Sequence, residues 1–314
     1  MACARQACPE RNRRRIKIKT RLGIFISALL LLPLAGLFLS GSEWSELAAA
    51  SPDVPANIPA TLLTSLMLLG YVFLSNHMIN LNTGNNPLKL QGNYFLAMAA
   101  ASAVLGWLLA YLNLFAASWP TTQAHPAVQL LLYTPLFALL APAVLSTRAL
   151  IGSFPGLLKR LARGFPLPSF SPETLAFGLI PVALAGLLGG AAWPARLFWL
   201  LWIAPLLLLT ALQLLWHEGS VFTNLKTGDW GRVICAALAG IFTGNLAMVT
   251  YHTNGGMLEI NLPNPLFAQL GYAIFGLLCM QLGDVIAEYW RGKQRGEPRP
   301  PKKKFPIPVV VKKS

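Results

Sequence analysis

The sequence predicts an all-α fold, a polytopic transmembrane helix bundle of about eight spans with both termini in the cytoplasm. The first observation is composition, since 55% of the 314 residues are hydrophobic and only 11% are charged, against roughly a quarter in soluble domains. The second is the recurrence of apolar stretches about 20 residues long, the length that a helix needs to cross the hydrocarbon core. The third is charge asymmetry: of the 25 Lys and Arg residues, all but Arg196 fall on one side of this threading, and such residues are retained in the cytoplasm.

These observations divide the chain into three segments. Residues 1–21 form a basic cytoplasmic arm, residues 22–290 the transmembrane helical domain, and residues 291–314 a basic, Pro-rich cytoplasmic tail whose composition predicts disorder. We expect anionic lipid head groups, and not nucleic acid, as partners of the basic ends, because no aromatic residues interleave with the charges. The eight spans are predicted near residues 22–39, 58–78, 94–116, 128–145, 174–192, 197–215, 233–250 and 266–289.

The first span follows the basic arm in the manner of a signal peptide, with small residues at 48–50 as a cleavage site. Its apolar run is longer than the core of about 7–15 residues that signal peptides have, and the small residues lie well beyond its end. A retained signal anchor is therefore predicted.

The next three spans are bounded by polar or Pro-containing segments. An Asn-rich segment at 80–87 separates the second span from the third, and a Trp-Pro pair at 119–120 ends the third. The longest internal loop lies between Arg148 and Ser171. Within it, residues 155–165 fit either a short helix lying among the lipid head groups or a solvated basic loop, and both alternatives stay open.

Glycine pairs in the last four spans and tryptophans along the chain also fit a membrane protein. Spans five and six are joined by a tight turn at 193–196. The pairs Gly186/Gly190 and Gly240/Gly244 follow the GxxxG pattern, which predicts close helix–helix approach. Most tryptophans lie near span ends, as in the aromatic belts of membrane proteins: Trp44, Trp119, Trp193, Trp216, Trp230 and Trp290.

The cysteine and motif patterns predict neither a metal nor a cofactor. The four cysteines have no CxxC spacing, so reduced thiols are expected instead of a disulfide framework or a zinc site. The sequence contains no HExxH, GxGxxG or Walker A motif. Zinc hydrolysis and nucleotide binding by a Gly-rich loop are therefore not predicted.

Polar residues inside the spans are few, and three are candidates for function. Asp284 is the only acid clearly within a span, where charge is expensive. It is predicted to be an ion or proton ligand or a catalytic acid, or alternatively to reach the head groups or pair with a basic loop. Thr243 and Asn245 near the centre of span seven line a substrate path in one hypothesis and form interhelical hydrogen bonds in the other.

Two polar clusters at the membrane faces supply the remaining catalytic candidates. On the cytoplasmic side, His217, Glu218 and Asp229 combine an imidazole with two carboxylates. On the outer side, His252 and Glu259 form a similar pair of groups. Neither spacing specifies a reaction, and a lone interfacial histidine also fits a head-group contact.

The sequence thus predicts an integral membrane protein of a bacterial inner (plasma) membrane without identifying its activity. The first hypothesis is transport or handling of a neutral or lipid-linked substrate. The alternatives are an enzyme that acts on a lipid-linked substrate at one interface and a non-catalytic subunit of a membrane complex. A homo- or hetero-oligomer is compatible with the GxxxG faces.

Overall fold

The computed structural model describes residues 58–119, 126–154, 164–168, 171–256 and 260–290. Within these ranges the chain is helical and contains no strand. The single-turn helix α2 (Pro87–Leu90) precedes α3. Seven helices are long and apolar enough to span a membrane: α1 (Ile58–Thr83), α3 (Gly92–Ala116), α4 (Pro126–Gly152), α5 (Pro172–Ala192), α6 (Pro194–Leu215), α7 (Gly231–Thr253) and α8 (Pro265–Trp290).

These seven helices confirm the predicted all-α, membrane-spanning bundle, and each overlaps one predicted span from the second to the eighth. The first predicted span at 22–39 and both basic ends lie outside the described residues. Helices α1, α4 and α7 run beyond the predicted ends. Arg148 and Arg232 consequently belong to α4 and α7. A long basic side chain reaches the head groups from within a helix, so its charge does not end the helix at the hydrocarbon boundary.

Local sequence explains the hairpin formed by α5 and α6. Helix α5 begins after Ser171, whose Oγ accepts a hydrogen bond from Thr174 N at 3.1 Å, and Pro172 occupies the first helical position. Both are favoured residues at a helix start. Helix α5 ends at Trp193, and α6 begins at once with Pro194. The short connection makes the two helices antiparallel neighbours.

The core of the described bundle lies between α3, α4, α6, α7 and α8. Helix α1 packs against α4 and α7 through Leu68 and Val72. Helix α5 packs mainly against α6 and lies at the edge of the bundle. The buried core residues are Met98, Leu105, Ala141, Val144, Leu145, Leu206, Val221, Ala236, Ala239, Leu278, Cys279 and Met280.

The glycines of the two GxxxG pairs lie at close contacts between helices of this chain. Gly240 and Gly244 of α7 lie against Tyr272 of α8. Gly186 and Gly190 of α5 lie against the backbone and side chains of α6. A β-carbon at any of these four positions would crowd or overlap an atom of the neighbouring helix.

Charge is concentrated at one end of the bundle. Because consecutive long helices run in opposite directions, this end collects the last turns of α1, α4, α6 and α8 and the first turns of α3, α5 and α7. We call it the basic face, because it carries all the described basic residues except one: Lys89, Arg148, Lys226 and Arg232. The exception, Arg196, lies in the first turn of α6 at the opposite face.

Candidate functional site

A cavity of about 620 Å³ lies at the basic face between α4, α7 and the loop that precedes α7. Small residues and polar residues line it. Two arginines from different helices share this cavity. Its lining consists of Arg148, Ala149 and Gly152 of α4, Asn224 and Asp229 of the loop, and Gly231, Arg232 and Cys235 of α7.

Arg232 forms an ion pair with Asp284 of α8, with Arg232 Nη2 donating to Asp284 Oδ1. The two side chains are 27% and 19% exposed, so the pair lies at the edge of the bundle interior. Arg232 Nε and Asp284 Oδ2 are buried and make no hydrogen bond within the described part of the chain. The carboxylate therefore fixes the direction of the guanidinium, and a catalytic role for Asp284 stays a prediction.

Arg148 is in a different position. Among the described residues it makes no hydrogen bond and has no carboxylate oxygen within 4.0 Å. Its side chain is partly buried and lines the cavity. A cation withdrawn from water without a partner is unfavourable, so the environment of Arg148 favours an anion.

Asp229 is the second carboxylate near the arginines. The amino-terminal end of α7 stabilises its negative charge. Its Oδ1 accepts a hydrogen bond from Gly231 N at 2.9 Å, and its Oδ2 accepts one from Asn224 Nδ2 at 3.4 Å. A carboxylate at a helix amino terminus is stabilised by the N–H groups and by the helix dipole. Asp229 therefore caps the amino-terminal end of α7. It forms no ion pair with Arg148.

The loop before α7 is tied to the segment 164–168. Gly228 has a φ of +77°, and its α-carbon lies against the backbone of Gly164, so both conformation and space favour glycine there. This connection fixes the loop that carries Asn224 and Asp229. Three hydrogen bonds make it: Gly164 N to Gly228 O (2.9 Å), Leu167 N to Leu225 O (3.0 Å) and Trp230 Nε1 to Phe165 O (2.9 Å).

The segment 155–165, for which the sequence left a short helix and a basic loop as alternatives, lies next to this connection in the chain. Residues 155–163 lie outside the described residues, so the two alternatives stay predictions. Gly164 and Phe165 are described and are not helical.

Polar side chains in the interior form hydrogen bonds between helices. Thr147 of α4 bonds to Tyr71 Oη of α1 at 2.7 Å and to Thr243 Oγ1 of α7 at 3.3 Å. Asn245 of α7 and Gln269 of α8 form a reciprocal carboxamide pair, with N···O distances of 2.7 and 3.1 Å. Thr243 and Asn245 are thus both engaged with neighbouring helices, and their role in a substrate path stays a prediction.

The other catalytic candidates lie away from the arginines or outside the described residues. His217 follows α6 in a left-handed backbone conformation, with φ of +53°, and neither it nor Glu218 lines the cavity. His252 is exposed in the last turn of α7, at the opposite face. Glu259 lies outside the described residues.

Sequence reasoning selected two of the four charged groups at this site. Asp229 and Asp284 were among its candidates, and Arg148 and Arg232 were not. The register of α7 against α8 accounts for the Arg232–Asp284 pair once the structure is known. The two residues lie at equal sequence distances from Gly240 and Gly276, which meet across the contact between α7 and α8.

The described residues offer no conventional metal site. No three His, Cys, Asp or Glu side chains within them group as metal ligands do. Cys235 and Cys279 are both free thiols and both buried. The polar groups that line the cavity are guanidinium, carboxamide and carboxylate groups together with the Cys235 thiol.

No family model, curated protein or solved structure matches the chain. The arguments for function consequently come from its own residues and geometry.

Proposed function

We propose that this chain is a multi-pass membrane protein that handles a lipid-linked substrate by holding an anionic head group in the cavity of the basic face. The observation that carries the proposal is the Arg148 guanidinium, which lines the cavity with no carboxylate partner among the described residues. An anionic ligand removes the unfavourable free energy of that partly buried charge.

The position of the cavity at the helix ends supports a ligand that is anchored in the bilayer. Its lining comes from the last two turns of α4, from the first two turns of α7 and from the loop between α6 and α7. Helix ends of this kind lie where the hydrocarbon gives way to the head groups. Large apolar side chains such as Leu238 and Phe242 of α7 are exposed nearer the middle of the span. An amphipathic substrate thus keeps its chain in lipid while its head group meets the arginines.

We assign the basic face to the cytoplasm and the protein to a plasma membrane of the bacterial inner type. Retention of Lys and Arg during insertion supports this orientation, since Arg196 alone lies on the other side of the predicted threading. Basic residues at the cytoplasmic surface also attract anionic lipids, each by about 1 kcal/mol. The orientation therefore brings an anionic substrate toward the cavity.

Native mass spectrometry of the protein extracted into nanodiscs tests this function. We expect the wild-type protein to retain an anionic amphiphile from its membrane and Arg148→Gln to lose it. The matched control is Arg196→Gln, which removes the same charge at the opposite face and leaves the cavity unchanged. Retention in the control and loss in Arg148→Gln support the proposal.

Two results contradict it. One is equal retention of the amphiphile by Arg148→Gln and wild type. The other is a stoichiometric protein partner with no bound amphiphile, which favours a non-catalytic subunit of a larger complex.

A further inference from the structure

We propose that the anionic group held in this cavity is a phosphate, bound between Arg148 of α4 and Arg232 of α7. The location of the ligand rests on the proposed function, and the chemical class of its head group is the new element. Charge, the positions of the donors on separate elements, and space each support it.

Of the two arginines that line the cavity, only Arg232 forms an ion pair within the described residues. Asp284 pairs with Arg232, and Asp229 is bonded to the start of α7 and to Asn224. Arg148 has no carboxylate partner in the described part of the chain. A phosphodiester carries one negative charge, and a phosphomonoester carries about 1.5 to 2 near neutral pH. Either form supplies a negative charge opposite the positive charge of Arg148.

The donors come from three different elements. Arg148 belongs to α4 and Arg232 to α7, and the Asn224 carboxamide, one N–H of which donates to Asp229, belongs to the loop between α6 and α7. A carboxylate has two coplanar oxygens, which a single guanidinium fork satisfies. A phosphate directs its oxygens tetrahedrally and accepts from several donors at once, a geometry to which guanidinium groups are suited. Donors on separate elements therefore fit a phosphate better than a carboxylate.

The backbone leaves room for such a group beside the arginines. Three lining residues are small, Ala149, Gly152 and Gly231. A β-carbon at Gly152 would meet no atom within 4 Å. The cavity volume of about 620 Å³ is within the range of ligand pockets, about 300–1,000 Å³.

The test compares two lipid probes in nanodiscs that carry the full chain in neutral phosphatidylcholine. Dioleoyl phosphatidic acid presents a phosphate, and oleate presents a carboxylate, each at the same small mole fraction. Native mass spectrometry measures how much of each probe is retained. We expect about tenfold or greater preference for phosphatidic acid, as loss of a charged hydrogen bond implies, and we expect Arg148→Gln to abolish this preference.

Two further variants test whether misfolding explains a loss of the phosphatidic acid preference in Arg148→Gln. Arg196→Gln is expected to keep the preference, because Arg196 lies at the opposite face. Arg148→Lys keeps the charge without the planar fork and is expected to show an intermediate preference. A loss of the preference in Arg196→Gln that equals the loss in Arg148→Gln contradicts the proposal.

The outcomes separate this inference from the function on which it rests. Equal retention of both probes overturns the phosphate site and leaves a general anionic head-group site intact. Retention of neither probe overturns both. Competition by inorganic phosphate supports the phosphate site, and tighter binding of inorganic phosphate than of phosphatidic acid counts against a lipid-linked substrate while the phosphate site stands.

Discussion

Among individual residues, Asp284 influences the position of one arginine that lines the cavity. It accepts a hydrogen bond from Arg232 Nη2 and so orients one of the two arginines. Arg148 has no corresponding acceptor in the described part of the chain. The site therefore has one arginine that is oriented by an ion pair and one arginine that forms no ion pair among the described residues.

We expect Asp284→Asn to retain the anionic amphiphile at least as well as the wild type. Asparagine keeps an oxygen that accepts from Arg232, while removal of the carboxylate adds one positive charge beside the cavity. Native mass spectrometry of the variant measures the retention. An enzyme that uses Asp284 as its catalytic acid behaves differently, since the same variant then loses turnover. Loss of the amphiphile from Asp284→Asn contradicts the interpretation that Asp284 orients Arg232 without itself binding the ligand.

Asp284→Leu is the matched control for this variant. Leucine leaves Arg232 without its acceptor, which lowers the free energy of unfolding by roughly 1–3 kcal/mol. Thermal unfolding in the same nanodiscs should therefore show a lower Tm for Asp284→Leu than for Asp284→Asn. Equal Tm values show that the contact with Arg232 contributes little to stability.

Asp284 was identifiable from the sequence because an acid within a span is rare and expensive. Its partner was not identifiable, because pairing depends on which helix faces α8 and in which register. The same limit applies to Asn245, where a buried carboxamide implied a partner without naming Gln269. Composition reveals the need for a partner, and packing decides which one is available.

At the scale of helices, apolar length predicted the spanning elements well, because a fixed bilayer thickness selects helices of about 20 residues or more. The helix ends were less accurate. Helices α4 and α7 continue through Arg148 and Arg232, because arginine is a favourable helix residue and its charge does not end the backbone helix. The two arginines that line the cavity lie in these underestimated ends.

The GxxxG pattern predicted close approach between helices but not the identity of the facing helix. In the structure, Gly240 lies against Gly276, and Gly190 lies against Leu201. Both contacts are within one chain. These glycine faces therefore supply no argument for an oligomer, and the predicted oligomeric partner stays a prediction.

Helix direction leads to a prediction about orientation. In a variant with all four cysteines replaced, single cysteines are introduced as Thr227→Cys at the basic face and Thr253→Cys at the opposite face, where both threonines are exposed. We expect an impermeant maleimide added to intact cells to label Thr253→Cys only, because the basic face is assigned to the cytoplasm. Labelling in permeabilised cells controls for access. Reversed labelling contradicts the orientation.

At the scale of the whole molecule, the fold class was predictable and the site was not. Hydropathy and charge asymmetry act through the bilayer, so they are visible along the sequence. The cavity instead joins Arg148 of α4 to Arg232 of α7, residues far apart in the chain that meet only after the bundle has packed. The sequence alone carried no motif that links them.

Photocrosslinking in the native membrane tests the central claim most directly. p-Benzoylphenylalanine is placed at Gly152, where the cavity leaves space, and in a control at Thr253 of the opposite face. The account predicts a covalent adduct with a phosphate-bearing amphiphile at position 152, diminished by Arg148→Gln and absent at position 253. Equal adducts at both positions, or an adduct at 152 that Arg148→Gln leaves unchanged, would contradict it.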